Sequence, residues 1–290
     1  MKNEGARARK DREASSIPSS PYTHHPSKRL GQNFLVDSRI VDRIIQAVDP
    51  KSDETIIEIG PGRGALTARL VEEAGAVLAI EFDRNLIAGL QEKFGSSGNF
   101  KLIQSDALVT DFCAEIKPAT HARLVANLPY NISTAILQRL IEQRSCLMEM
   151  VLMLQREVVE RITAPAGSTD RGYLSVVVEA YCEAERLFDV SPGAFRPIPK
   201  VWSSVIRLKV RQAIAPVKDE ALLWSVVSAG FAQKRKTILN NLRSAPPRLQ
   251  NLIKLHGGAS IVLCQAEVDL RRRAETLKVE EWVRITRQLE

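Results

Sequence analysis

The segment Ile56-Ile57-Glu58-Ile59-Gly60-Pro61-Gly62-Arg63-Gly64-Ala65-Leu66-Thr67 decides the fold. An apolar run ends in three glycines spaced GxGxG, and a helical pattern opens directly after them. Glycines at a strand–helix junction let a ligand approach the backbone closely, and the helix start favours an anionic group there. Such a junction marks the ligand crevice of an open α/β sheet. The spacing is not the GxGxxG of dinucleotide binders, because Ala65 follows Gly64.

Short apolar runs alternate with helical patterns on both sides of this loop. Residues 55–59, 76–80, 100–103, 124–126 and 150–154 are near-continuously apolar, as strands buried on both faces should be. Helical spacing appears over 37–48, with Asp37 as the cap, and near 64–74, 84–94, 132–143 and 173–182. Two further strands are expected near 186–190 and 203–210. The alternation predicts a mostly parallel sheet with right-handed crossovers. Beyond Ala215-Pro216 only helical patterns follow, so an all-helical unit over 216–290 is expected after an α/β domain over 28–215.

Composition bounds the function. The chain has 290 residues, 44% of them apolar and 26% charged, an ordinary globular balance. No apolar stretch approaches the roughly 18 residues of a membrane helix. The four cysteines lie far apart without CxxC or Cys/His spacing, which speaks against a disulfide scaffold or a zinc site and fits a reducing, cytoplasmic setting. The net charge of +7 divides into +4 over 1–29, −2 over 30–217 and +5 over 218–290. Basic ends flank a nearly neutral middle, which hints at a polyanionic partner. Residues 1–27 read as a disordered basic tail with no apolar signal region. A mitochondrial presequence is a weaker alternative, because the stretch holds three acids and three prolines.

Three strand ends carry candidate ligand groups. Glu81 closes the second strand of the α/β series, at the spacing that suits a ribose diol. Asp106 follows the third, where an adenine edge would lie; Glu58 suits a supporting role in the loop. The fourth strand runs into Asn127-Leu128-Pro129-Tyr130, then Ser133 and Thr134 as possible helix caps. An adenine amine is a poor nucleophile, because its lone pair is delocalised into the ring. The Asn127 side-chain oxygen and the Pro129 carbonyl could accept its two hydrogens and localise that lone pair. Tyr130 could stack on the purine, a contact worth about 1–3 kcal/mol.

The Asn-Leu-Pro-Tyr motif after a GxGxG loop resembles class I, S-adenosylmethionine-dependent adenine-N6 methyltransferases, whose fold is Rossmann-like. The likeness extends to 31–37 (GQNFLVD), 153–159 (MLQREVV), 195–203 (FRPIPKVWS) and 231–238 (FAQKRKTI). Residues 28–290 resemble the small-subunit ribosomal RNA adenine dimethyltransferase family (KsgA type). The resemblance implies a mostly parallel sheet with an antiparallel edge strand, plus a small all-α C-terminal domain. It implies methyl transfer from S-adenosylmethionine to two adjacent adenosines in a hairpin loop near the 3′ end of small-subunit rRNA, within a pre-30S particle. Asn33 and Leu35 would then lie over the methionine portion, and Gly60 would be the close-approach glycine. Glu81 would hold the ribose, Asp106 the cofactor adenine, and Asn127 both cofactor and target. Phe195 would face Tyr130 across the target base. Phosphate contacts are expected from Lys234, Arg235 and Lys236, whereas Arg271, Arg272 and Arg273 read first as a solvated face. No metal, no membrane contact and a monomer are expected.

Macrolide-resistance methyltransferases share most of these motifs but act on large-subunit rRNA. They commonly carry Ile where this chain has Leu128, and the stretch 181–201 is more similar to the small-subunit enzymes. A non-catalytic assembly or transcription factor on this fold and a nicotinamide oxidoreductase are the rivals from other classes. The intact tetrapeptide argues against both.

Overall fold

The computed structural model describes residues 31–290, so the expected tail over 1–27 lies outside the described residues. The chain enters through β1 (Phe34–Leu35) and α1 (Ser38–Val48), whose cap is Asp37, accepting from the Arg39 amide at 3.0 Å. There follow β2 (Thr55–Ile59), α2 (Thr67–Glu73), β3 (Ala76–Glu81), α3 (Arg84–Phe94), β4 (Phe100–Gln104), the short α4 (Phe112–Glu115) and β5 (Ala122–Asn127). Next come α5 (Ser133–Glu142), β6 (Leu147–Gln155), α6 (Arg156–Ile162), α7 (Tyr173–Tyr181), β7 (Cys182–Val190), β8 (Phe195–Arg196) and β9 (Ser203–Val210). The rest is helical: α8 (Glu220–Gly230), α9 (Ile238–Arg243), α10 (Pro247–Leu255), α11 (Ala259–Gln265) and α12 (Val279–Arg287).

Seven strands form one sheet in the order β4-β3-β2-β5-β6-β9-β7. The first five are parallel, and antiparallel pairing is confined to the β6-β9-β7 edge. Strand order reverses between β2 and β5, which places the ligand crevice at their carboxyl ends. Neighbouring Ile56 and Ile57 are both fully buried yet join different apolar clusters, as the pleat requires of a sheet covered on two faces. β1 and β8 form a separate antiparallel pair, with Leu35 opposite Phe195.

The helical unit does not stand apart. One buried cluster runs from α5 and α7 through Leu223 and Val226 to Trp282. Tyr181 meets Trp224 edge-on at 5.3 Å, and Arg144 bridges to Glu220 at 2.5 Å. The domain change near 215 is therefore a change of architecture across a continuous apolar core.

Two expectations need correcting. Ser133 is the first residue of α5 rather than its cap, and its hydroxyl donates to the Tyr130 carbonyl at 3.3 Å. Cys113 and Cys146 are joined in a disulfide, with Cα atoms 5.5 Å apart, while Cys182 and Cys264 are free. The sequence separation of 33 between the paired cysteines hides the contact in the sequence. The crossover through β5 and α5 returns the turn before β6 to the start of α4. Among the described residues no helix is long and apolar enough to cross a membrane.

Candidate active site

A cavity of about 300 Å³ opens at the carboxyl ends of β2, β3, β4 and β5. Gly60, Glu81, Asp106, Asn127, Leu128, Pro129 and Tyr130 all line it, as does Asn33 from the entering segment. Thus loops separated widely in sequence converge at the switch point.

The glycine loop forms because its backbone visits conformations that side chains resist. Gly60 has φ of +68°, with its amide donating to the Ile80 carbonyl at 2.9 Å. Gly64 has φ of +84°, and a Cβ there would strike the Phe94 ring. Glu58 does not face the cavity; it is buried and accepts from the Thr67 hydroxyl at 2.7 Å, fastening the start of α2. Burial raises the Glu58 carboxyl from 4.5 to about 7, opposed by the Thr67 hydroxyl and reinforced by the Glu81 charge.

Glu81 is set before any ligand arrives. One oxygen accepts from the Gly62 amide at 3.1 Å, the other from the Asp83 amide at 2.8 Å. Burial raises its carboxyl above the ordinary range, and these two amides pull it back. Asp106, which lines the cavity, uses one oxygen to accept from the Leu108 amide at 2.9 Å. Phe82, 57% exposed, stands next to Glu81 on the cavity wall, where a purine could lie against it. Sequence reasoning passed over Phe82; its signal was an aromatic directly after the acid that ends β3.

The entering segment straps the cavity from above. The Gln32 amide donates to Asp83 at 2.8 Å, and the Asn127 amide donates to the Asn33 carbonyl at 3.1 Å. The Phe34 ring lies over Gly62, where a Cβ would come within 3.1 Å of it, and the Arg63 guanidinium covers that ring at 4.7 Å. Gln32 and Phe34 carry no individual signal in the sequence, and the contact of Phe34 with Gly62 is not announced by the glycine spacing. Their roles depend on a fold-back that local pattern does not encode.

With its nitrogen committed to Asn33, Asn127 presents Oδ1 as its acceptor. The Pro129 carbonyl already accepts from the Ile132 amide at 3.2 Å. The preceding Leu128 amide donates to Met153 at 3.2 Å, and no described residue donates to the Leu128 carbonyl. The Pro129 carbonyl, expected as the second acceptor, thus keeps one lone pair for a ligand, while the Leu128 carbonyl is uncommitted to any described donor. The Tyr130 hydroxyl pairs with that of Ser203 at 2.7 Å, and burial raises the phenol above its ordinary value, so the ring stays neutral.

Leu35 and Phe195 are not brought to this cavity. They pair across β1 and β8, and both are buried, Phe195 completely. Their shared apolar cluster includes Val41 and Val205. The expected aromatic opposite Tyr130 is thus a covered core side chain, because the β1–β8 pair closes over it. Leu35 instead borders a shallow depression with Val36, Ala65 and Arg69.

Lys234, Arg235 and Lys236 are exposed in the turn between α8 and α9. The Asn241 amide holds that turn through the Gly230 and Gln233 carbonyls, at 2.6 and 3.2 Å. The Ile238 amide donates to the Arg272 carbonyl at 2.7 Å, bringing the arginine run alongside. Arg272 turns inward to Glu281, whereas Arg271 and Arg273 stay exposed and extend the basic surface. Among the described residues no cluster of three His, Cys, Asp or Glu could hold a metal ion.

Comparison with known proteins gives the family of the chain. The family model described as "Ribosomal RNA adenine dimethylase" matches residues 23–285, reaching into the stretch assigned to the tail. The chain is 42% identical over 263 residues to "Ribosomal RNA small subunit methyltransferase A" of Hahella chejuensis, covering 90% of this chain and 92% of that protein. It is 48% identical over 224 residues to the protein of the same name from Xanthomonas campestris pv. campestris, covering 77% and 85%. Among solved structures, a dimethyladenosine transferase from Plasmodium falciparum shares the fold at TM-score 0.72 and 24% identity, covering 87% of this chain and 95% of that one. The 23S rRNA methyltransferase ErmE gives TM-score 0.62 at 25% identity, covering 89% and 99%. With the family model spanning nearly all of the described residues, the chain belongs to the ribosomal RNA adenine dimethylase family.

Proposed function

We propose that this chain transfers methyl groups from S-adenosylmethionine to N6 of two adjacent adenosines in the 3′-terminal hairpin loop of small-subunit rRNA, giving N6,N6-dimethyladenosines. The carrying observation is the convergence, in one cavity, of a cofactor cradle with Asn127, Leu128 and Tyr130. The names of the 42–48% identical relatives favour the small subunit over the large.

The residues present fit the cofactor. Glu81 offers a fixed carboxylate to a ribose diol, Asp106 an acceptor to the adenine amine, and Gly60 room for close approach. Asn33 borders the remaining portion. When bound, the cofactor supplies an electrophilic methyl group on sulfur. The protein's part is then to hold the acceptor amine. Asn127 Oδ1 and a backbone carbonyl, that of Leu128 or Pro129, each accept one N6 hydrogen, which localises the nitrogen lone pair without a general base. Tyr130 supports the purine face, and the cavity holds the amine in line for transfer. A base must leave its stack to reach this depth. Lys234, Arg235, Lys236, Arg271 and Arg273 supply phosphate contacts that set the RNA on the enzyme. We further place the chain in the cytoplasm, acting as a monomer on a pre-30S particle.

Mass spectrometry of small-subunit rRNA tests the reading. In cells whose sole copy is Asn127→Ala, the two dimethyladenosines should be lost, with kcat on isolated particles down about 10²-fold or more. Unchanged dimethylation would overturn the assignment of Asn127.

A further inference from the structure

One exposed aromatic remains outside the catalytic account. Among the described residues, two of the exposed large apolar side chains are aromatic rings: Phe82 on the cofactor wall, and Trp202, 47% exposed. Trp202 immediately precedes Ser203, whose hydroxyl holds Tyr130. Its carbonyl accepts from the Arg156 amide at 3.0 Å, so the backbone is fixed against the end of β6 while the indole faces solvent. β6 lies beside β5, the strand that delivers Asn127. Trp202 does not line the cavity itself; it lies one residue from the Ser203 that borders Tyr130, on the side of the sheet remote from the strands that carry Glu81 and Asp106.

The surroundings suit an anionic, base-bearing chain. Ile198 and Val201 are exposed beside Trp202 in sequence, and the stretch 195–202 carries Arg196 and Lys200 but no acid. Arg156 adds a half-exposed guanidinium, 3.4 Å from Glu160. This apolar and basic stretch leads along the chain, through Ser203, to Tyr130 at the acceptor end of the cavity. A nucleotide whose base enters the cavity leaves its neighbour at the mouth, unstacked. Stacking that neighbour on a fixed ring recovers part of what was lost on leaving the RNA stack.

We infer that Trp202 is a stacking platform for the nucleotide flanking the target adenosine, and so a residue that positions RNA rather than cofactor. This rests on the reading of the site as acting on RNA. Its position explains why the aromatic is exposed here, next to a tyrosine pinned by Ser203.

The test uses the full chain and a fluorescently labelled RNA hairpin with two adjacent adenosines in its loop. Trp202→Ala should weaken hairpin binding about tenfold, and Trp202→Phe should restore it to within about threefold, since stacking tolerates any aromatic face. Affinity for S-adenosylmethionine should not change in either variant, which also checks that each is folded. An abasic nucleotide flanking the adenosines should weaken wild-type binding but add nothing to Trp202→Ala. Equal abasic penalties in both proteins, or hairpin binding by Trp202→Ala at wild-type strength, would overturn the inference. So would a self-associated species that disappears in Trp202→Ala while RNA affinity holds, which would assign this stretch to a second copy. Trp202-dependent binding by a chain that fails to dimethylate rRNA would sustain the inference and sink the catalytic reading. Dimethylation with no dependence on Trp202 would do the reverse.

Discussion

The two ends of the cavity are built differently. At the cofactor end, Glu81 and Asp106 sit just beyond strands of a parallel sheet, and backbone amides already hold their carboxylates. At the acceptor end, one tetrapeptide provides most of the wall, Tyr130 leans on Ser203, and the aromatic expected opposite it is covered. At the first end the carboxylates are already fixed by the chain's own amides. The second has one aromatic wall among the described residues, Tyr130, with Phe195 covered in the core. Preorganisation is concentrated where the ligand is small and constant. It is relaxed where the ligand is a large RNA.

This contrast has a cost in stability on the cofactor side, and the largest expected effect probes it. Glu58 ionises near 7 in the folded chain against an ordinary 4.5. A raised carboxyl favours the folded state fully only below its unfolded value. Stability should therefore fall as pH climbs from about 4.5 through 7, by about 3 kcal/mol for this group. Glu58→Gln should flatten that fall, so denaturant unfolding at pH 5 and pH 8 should differ less than in the wild type. An unchanged pH profile would mean that the buried acid carries no such penalty.

Glu81→Gln separates the two ends next. Removing the fixed charge proposed to hold the ribose should weaken S-adenosylmethionine binding about 10- to 100-fold by calorimetry. Affinity for the RNA hairpin should stay within about twofold, because the acceptor end does not rely on Glu81; a matching loss in both would show one indivisible site. The smallest effect concerns the surface beyond the cavity. Replacing Lys234, Arg235 and Lys236 by alanine should lower the slope of log affinity against log salt by about 2–3, with cofactor binding unaffected. A slope equal to that of wild type would remove these residues from the RNA contact.

How much of this was legible from sequence follows the same divide. Strand ends are local: apolar runs stop, an acid or glycine follows, and Gly60, Glu81, Asp106 and Asn127 could be placed from that alone. The extent of the strand over 203–210 and the cap at Asp37 are equally local. What depends on return contacts was hidden. The pairing of Leu35 with Phe195 takes both residues out of the cavity, and no short-range signal announces it. The Cys113–Cys146 bond and the approach of Arg272 to Ile238 are of the same kind. So is the Ile132 amide's claim on one lone pair of the Pro129 carbonyl.

The hydrogen bonds that complete the cavity also set when it can exist. Gln32 to Asp83 spans 51 positions, Asn127 to Asn33 spans 94, and Tyr130 to Ser203 spans 73. A chain emerging from the ribosome amino end first can form the strap over Asp83 early. The support for Tyr130 must wait until Ser203 and the strand it begins are free of the exit tunnel. Nascent chains that stop short of β9 can hold the cofactor loops but not the pinned tyrosine. Catalytic competence thus arrives late in synthesis, after the cofactor end has had time to fold.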